Sequence, residues 1–217
     1  EYDTNNLPKH IARLKEKGVE IIWSVNNPFA VKTLVPVLLK YPNENLVALD
    51  DDFIYYKDIL NRLYQHALKN PGAIVGLAGK ELYRKGNEIN MYFRRKKFAD
   101  ITTPSSNIYF LKGSGTFYPA GSIHSKAVDI DKIHEFVPGR GADMWFWAAA
   151  LAQNSKQICI GNLDKYDVGI PIPENNQTKT RELPTHEAMN ARFQRVVDYY
   201  GIREKLLGEL PDLYSEV

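Results

Sequence analysis

The sequence contains very little cysteine and carries almost no net charge, and each shortage excludes a class of protein. Its 217 residues include a single cysteine, Cys159, so no disulfide can form within the chain and a disulfide-rich secreted scaffold is excluded. Cys159 stands in the segment 157–160 (QICI), which is typical of a buried strand, and we expect a structural thiol there. The formal net charge of +2 gives no reason to expect nucleic acid as a partner.

Long apolar runs are also missing. The longest one, Met144 to Ala152, is about half of the roughly 20 residues that a membrane-spanning helix needs. No signal peptide pattern occurs at the start, so we expect a cytoplasmic protein without a transmembrane segment. The basic run Arg94 to Lys97 favours a solvated loop; peripheral association with the inner face of a membrane is the alternative.

Apolar spacing alternates between helical and strand-like along the first part of the chain. Helices are predicted over 7–17, 33–40 and 57–69, and strands over 19–23, 46–49 and 73–78. This alternation favours an α/β fold with a mostly parallel, Rossmann-like sheet flanked by helices. The short continuous run 46–49 is typical of a central strand that is buried on both faces.

The second part of the chain is less regular. Residues 80–107 are polar and basic, and residues 164–185 are rich in proline and asparagine, which predicts an ordered loop or a lid. Further helices are predicted over 142–153, 185–200 and 202–207, and a further strand over 156–160. No internal repeat or linker interrupts the sequence, so residues 1–217 are predicted to form one domain.

Three consecutive carboxylates, Asp50, Asp51 and Asp52, follow the predicted strand 46–49. In open α/β sheets, ligands bind beyond the carboxyl ends of the strands. Adjacent carboxylates repel one another unless a cation or solvent relieves them, and oxygen ligands suit Mg²⁺ or Mn²⁺. We therefore expect a metal site here. An acidic turn that caps the following helix is the alternative.

The acidic triplet belongs to one of four segments that occur in an order known from one enzyme family. The segments are Lys32–Leu38 (KTLVPVL), Leu46–Tyr55 (LVALDDDFIY), Gly113–Ser122 (GSGTFYPAGS) and Ala142–Phe146 (ADMWF). In this order they resemble GT-A-type glycosyltransferases, and most of all the bacterial capsule and surface-polysaccharide enzymes akin to glycosyltransferase family 2. The resemblance implies a GT-A-like fold and an inverting hexosyltransferase that uses a nucleotide-sugar donor.

The resemblance also implies roles for residues on the donor side. Asp50 and Asp52 would bind Mn²⁺ or Mg²⁺ at an Asp-x-Asp motif. Asp50 and Asp51 would contact the donor nucleotide, and Lys32 would contact its diphosphate. An exposed lysine on a helix surface is the ordinary alternative for Lys32.

On the acceptor side, the resemblance makes Asp143 the catalytic base. A carboxylate beside the acceptor can take the proton of its hydroxyl group during attack on the anomeric carbon. An aspartate in the first turn of a helix is also a favourable dipole partner, which is the structural alternative. Gly113, Ser114, Gly115 and Trp145 are predicted to bind the acceptor, a carbohydrate or a lipid-linked carbohydrate. A tight turn is the alternative for the glycine segment.

The sequence departs from the family pattern in three places. Ala142 stands where related sequences often carry a second acidic residue. The first strand–helix unit of the family is expected to be missing or trimmed, because this sequence begins after that point. A Gln-x-x-Arg-Trp motif is absent, which favours single addition over polymerisation. A sugar nucleotidyltransferase and a non-catalytic carbohydrate-binding domain derived from a transferase remain as alternatives.

Overall fold

The computed structural model describes residues 7–24, 29–51, 53–95, 100–110, 115–161, 169–172 and 184–214. Its α-helices are α1 (Lys9–Glu16), α2 (Val35–Lys40), α3 (Ile59–Lys69), α4 (Ile130–Phe136), α5 (Ala142–Ala152), α6 (His186–Tyr200) and α7 (Arg203–Glu209). Its strands are β1 (Leu46–Ala48), β2 (Phe53–Tyr55), β3 (Ile74–Gly76), β4 (Gly79–Lys85), β5 (Glu88–Arg94), β6 (Ile101–Ser105), β7 (Ile108–Phe110), β8 (Thr116–Tyr118), β9 (Gln157–Cys159) and β10 (Gly169–Pro171). Short 3-10 helices span Phe29–Thr33 and Ser125–Val128.

Five strands form the main sheet, in the spatial order β1-β8-β3-β9-β6. Strand β8 pairs antiparallel with both β1 and β3, and β3 pairs parallel with β9, so β1, β3 and β9 run in the same direction. Strand β6 runs against β9. A second sheet has the order β5-β4-β7, and β10 pairs with β2. The carboxyl ends of β1, β3 and β9 therefore share one edge of the main sheet.

The prediction of a mixed α/β fold is confirmed, but the main sheet is mostly antiparallel. Among the described strands, only β3 and β9 form a parallel pair. The prediction of a parallel sheet from alternating helices and strands assumes that each strand joins the sheet beside the preceding one. Here the chain leaves after β3 to build the second sheet and edge strand β6, and strand β8 then enters the main sheet in the opposite direction, between β1 and β3.

Two further expectations about strands differ from the structure. Residues 19–24 form neither a helix nor a strand, although the sequence predicts a strand over 19–23. Strand β1 is not central, because it pairs only with β8 among the described residues and leaves Val47 38% exposed. The polar stretch 80–107 contains β4, β5 and β6, which the sequence analysis did not predict.

The two faces of the main sheet carry different side chains because successive residues of a strand point in opposite directions. One face, with Val75, Phe117 and Ile158, packs against Ile59 and Leu63 of α3. The opposite face packs against α5 and the strands of the second sheet, where Ile74 and Cys159 meet Ile108, Phe110 and Ala150. The candidate site lies on this second face.

Helix α5 is the centre of the larger core. Its sequence is apolar on all sides, and only Asp143 and Ala152 are not buried. A helix of this kind is stable only when it is surrounded by protein. Gly141 stands immediately before this helix with φ 118°, a backbone conformation that residues with a Cβ rarely adopt. None of the helices in the described ranges combines the length and apolarity needed to cross a membrane.

Candidate functional site

A cavity of about 40 Å³ lies between α5 and the main sheet, close to the end of β1. Its lining consists of Thr33, Leu34, Ala48, Asp50, Ile74, Phe110, Gly115, Thr116, Tyr118, Ala142, Asp143, Phe146, Trp147, Ala150 and Gln157. Most of these side chains are apolar, and two carboxylates stand among them. The cavity has room for a few water molecules or for one substituent of a larger ligand, but not for a nucleotide.

Strand β1 brings Asp50 to the cavity. Ala48 and Asp50 are two residues apart, so both side chains face α5. The backbone N–H of Asp50 donates a hydrogen bond to the phenol oxygen of Tyr55 at 2.9 Å. Because Tyr55 belongs to β2, this bond ties the two ends of the acidic turn together. Asp51 is exposed, and Asp52 lies outside the described residues.

Helix α5 brings Asp143 to the same cavity from the opposite side. Asp143, Phe146, Trp147 and Ala150 are spaced three, four and seven residues apart, which puts them on one face of the helix. All of them line the cavity, and Asp143 stands in the first turn. Negative charge is favourable at this end of a helix, so the dipole supports the ionised carboxylate.

Both carboxylates act on the phenol of Tyr118, which also lines the cavity. Burial, followed by the negative charge of Asp143 and of Asp50, raises the pKa of Tyr118 well above its ordinary value, although a hydrogen bond with Thr116 lowers it. Burial and Asp143 also raise the pKa of Tyr109. Both phenols therefore stay protonated near neutral pH and retain a hydrogen-bond donor. The two aspartates, distant in sequence, thus share one electrostatic environment.

Comparisons of the sequence with protein-family models and with curated proteins gave no match. The function is therefore inferred from the site itself.

The predicted donor-binding residues Lys32, Asp50 and Asp51 do not all line the cavity. Lys32 is exposed at the end of its 3-10 helix and does not line the cavity, whereas the adjacent Thr33 does. The Thr33 hydroxyl donates to the carbonyl of Ala30 at 2.7 Å. Of the predicted donor and metal residues, only Asp50 lines the cavity among those the structure describes.

Trp145, which the sequence predicts to bind the acceptor, does not line the cavity. Its side chain has no exposed surface, and its indole N–H donates to the carbonyl of Ala127 at 2.9 Å. Residue 145 points away from the cavity because it lies only two positions after Asp143 on the helix. Trp147 is the tryptophan that reaches the cavity. Gly115 lines it as well, whereas Gly113 and Ser114 lie outside the described residues.

The described residues do not supply a ready-made cluster for a metal ion. No group of three or more histidine, cysteine, aspartate or glutamate side chains comes together within the described ranges. Mg²⁺ commonly takes only one or two carboxylates, together with water and substrate phosphates. Asp50, at the carboxyl end of β1, is chemically suited to that role, and Asp52 as a ligand stays a prediction.

Five polar residues of the cavity were not predicted from the sequence: Thr33, Thr116, Tyr118, Trp147 and Gln157. Helical spacing from Asp143 would have indicated Trp147. Gln157 begins an otherwise apolar strand, and a polar side chain at such a position is a signal in itself. Thr116 and Tyr118 depend on the pairing of β8 with β1, which no local pattern contains.

Proposed function

We propose that this chain is a glycosyltransferase that moves a sugar from a nucleotide-sugar to a hydroxyl group of a carbohydrate or a lipid-linked acceptor. The observation that carries the proposal is the meeting of Asp50 and Asp143 in one cavity. Asp50 lies two residues after strand β1 of the main sheet, and Asp143 lies in the first turn of the helix that packs on that sheet. Ligands of open α/β sheets bind at this position.

The proposal includes a GT-A-like arrangement of the chain. Three strands, β1, β3 and β9, run in the same direction, and the acidic triplet follows the carboxyl end of the first one. Antiparallel strand β8 lies between β1 and β3, so the similarity concerns the direction of these strands and the position of the acidic turn.

Asp143 is proposed to be the general base. The acceptor hydroxyl oxygen forms a bond to the anomeric carbon of the donor, and the bond from that carbon to the diphosphate oxygen breaks. The hydroxyl proton passes to the carboxylate of Asp143, and the leaving group departs as nucleoside diphosphate. Attack from the side opposite the leaving group inverts the anomeric centre. General-base catalysis of this kind contributes about 10²–10⁴-fold to the rate.

Asp50, together with Asp52, is proposed to hold Mn²⁺ or Mg²⁺. When bound, the ion supplies positive charge that stabilises the diphosphate leaving group. The nucleotide is too large for the cavity, so it lies outside, along the acidic turn where Asp51 is exposed. Lys32 is exposed on the neighbouring 3-10 helix and is proposed to attract the diphosphate.

Products distinguish this proposal from its alternatives. Purified protein is incubated with a panel of nucleotide-sugars, Mn²⁺ and simple glycoside acceptors, and the phosphorus-containing products are identified. We expect nucleoside diphosphate. A parallel incubation supplies sugar phosphates and nucleoside triphosphates instead, and release of pyrophosphate there would identify a nucleotidyltransferase. Carbohydrate binding without either product would identify a binding domain.

A pair of matched variants tests the part played by the cavity. Asp50→Asn removes a carboxylate that lines the cavity. Asp58→Asn makes the same chemical change at an exposed position that precedes α3 and provides no side-chain capping bond. We expect Asp50→Asn to lower Mn²⁺-dependent affinity for nucleoside diphosphate and Asp58→Asn to leave it unchanged. Equal affinities in calorimetry would remove Asp50 from the proposed metal site.

A further inference from the structure

Two residues that line the cavity each carry a buried polar atom without a hydrogen-bond partner in the described structure. These atoms are the side-chain oxygen Oε1 of Gln157 and the indole nitrogen Nε1 of Trp147. Gln157 is 1% exposed and Trp147 is 3% exposed, and both residues line the cavity beside Asp143. Leaving a buried polar atom unpaired costs roughly 1–3 kcal/mol, so such atoms usually meet a ligand or ordered water.

The surroundings of both side chains hold them in place. Trp147 stacks on Phe193 of α6 with ring centroids 5.4 Å apart, and its ring centroid lies 5.5 Å from that of Tyr109. Gln157 belongs to β9, which is paired on one side with Ile74 and on the other with Ser105. Ring contacts therefore position the indole of Trp147, and strand pairing on both sides positions the backbone of Gln157.

The chemistry of the cavity selects among ligands. An anionic group would be repelled by the carboxylates of Asp50 and Asp143. A cationic group would leave the N–H of Trp147 without an acceptor. A hydroxyl group donates one hydrogen bond and accepts others, so its chemistry suits the acceptor on Gln157 as well as the donor on Trp147. The apolar side chains around them suit the C–H group that carries such a hydroxyl, which is the one substituent that the cavity admits.

We propose that Gln157 and Trp147 bind a neutral hydroxyl group, or two neighbouring hydroxyl groups, of the sugar acceptor. The hydroxyl hydrogen is donated to Oε1 of Gln157, and the N–H of Trp147 donates to a hydroxyl oxygen. This inference deepens the proposed function and rests on it, because it assigns the cavity beside Asp143 to the acceptor. The two residues are specificity-determining and take no part in proton transfer.

The three tryptophans provide a direct measurement. Each indole N–H gives one signal in a ¹H–¹⁵N NMR spectrum, assigned with Trp23→Phe and Trp147→Phe. Trp23 is 43% exposed, and the N–H of Trp145 is already bonded to Ala127, so both serve as internal references. The parent protein is titrated with the methyl glycosides of glucose, galactose, mannose and N-acetylglucosamine, and with their fully O-methylated forms.

We expect at least one glycoside to shift the Trp147 signal and slow its exchange with solvent, while both reference signals stay in place. The O-methylated form, which has no hydroxyl hydrogen, should have a weaker effect. Gln157→Leu should weaken the binding of the active glycoside by about tenfold, the loss of one hydrogen bond. No shift of Trp147 with any glycoside, which is the outcome if the cavity holds water only, overturns the inference. So does a shift that Gln157→Leu leaves unchanged.

Transfer kinetics separate this inference from the proposed function. If nucleotide-sugar turnover is found, Trp147→Phe should raise KM for the acceptor by about tenfold and leave KM for the donor unchanged. Turnover with parental acceptor KM in both Trp147→Phe and Gln157→Leu would overturn the inference and keep the transferase. A glycoside-dependent Trp147 shift without any turnover would keep the sugar site and overturn the transferase.

Discussion

Gly141 sets the start of α5, and replacing it with alanine tests how strictly that start is fixed. The residue has φ 118° and ψ 17°. A Cβ at this position would lie 2.8 Å from Cγ1 and 3.1 Å from Cβ of Val137, a buried side chain. The alanine variant therefore meets both an unfavourable backbone conformation and a steric contact.

The two effects have separate magnitudes. An unfavourable φ costs about 1–3 kcal/mol for a residue with a side chain. An overpacked buried contact costs about 1–3 kcal/mol more. Gly139→Ala is the matched control, because Gly139 also has a positive φ, 73°, but a Cβ there would have no neighbour within 4 Å. We expect Gly141→Ala to lower the free energy of unfolding by about 2–6 kcal/mol, and Gly139→Ala by about 1–2 kcal/mol.

Urea unfolding followed by tryptophan fluorescence measures both values. The Gly141→Ala midpoint should fall by about 1 M or more relative to the control, given typical denaturant slopes. Activity per folded molecule should also fall more in Gly141→Ala, because the substitution displaces the first turn that carries Asp143. Equal destabilisation by the two substitutions would refute the steric argument and show that the segment before α5 adjusts freely.

Three further predictions concern single side chains. Asp143→Asn should lower turnover per folded molecule by about 10²-fold or more and change the free energy of unfolding by less than about 1 kcal/mol. The control Asp131→Asn, in the first turn of α4, should leave turnover unchanged. Near-parental turnover of Asp143→Asn would exclude Asp143 as a catalytic base. Burial raises the pKa of the Cys159 thiol from 9.0 to about 11. The free energy of unfolding should therefore fall by about 2–3 kcal/mol as the pH rises from 9 to about 11. Cys159→Ala should remove this part of the pH dependence. A thiol reagent that labels native protein at pH 8 as fast as a free thiol would contradict that burial. Trp145→Phe leaves the carbonyl of Ala127 without its donor and should lower the free energy of unfolding, measured in urea, by about 1–3 kcal/mol. Trp23→Phe, at an exposed position, should lower it by less than about 0.5 kcal/mol. Equal losses in the two variants would show that the hydrogen bond to Ala127 is unimportant.

The helices were the most predictable part of the fold. Helix α5 was predicted over 142–153 and spans Ala142–Ala152, and α6 was predicted over 185–200 and spans His186–Tyr200 with Thr185 as its N-cap. Long apolar patterns and capping residues are local signals, so the sequence alone contains them. Pro36 stands in the first turn of α2, where a helix tolerates proline.

The strands between 79 and 94 were less predictable, although one local signal was present. β4 and β5 are joined by Gly86 and Asn87, a two-residue loop typical of a hairpin. The many charged residues on either side obscured the alternation, because only Leu82, Tyr83, Ile89 and Met91 carry buried apolar side chains there. A strand with one exposed face accommodates charged residues on that face.

The candidate site could be predicted only in part. Asp50 and Asp143 were singled out from separate segments, and the structure brings both to the cavity. Helical spacing from Asp143 would have predicted that Trp147, and not Trp145, lines the cavity. The contribution of Gln157 depends on the packing of β9 beneath α5, and long-range packing of this kind leaves no pattern in the local sequence.

The insertion of β8 between β1 and β3 has a consequence for biosynthesis. As the chain emerges from the ribosome, β1 and β3 are completed long before residues 116–118, yet within the described structure neither pairs with the other. Both await β8, and β3 also awaits β9 at residues 157–159. Pairing over such long sequence separations slows folding and leaves strand edges exposed in the meantime. The turn after β1 is thus synthesised well before β8 and acquires its final surroundings only when β8 has paired with β1.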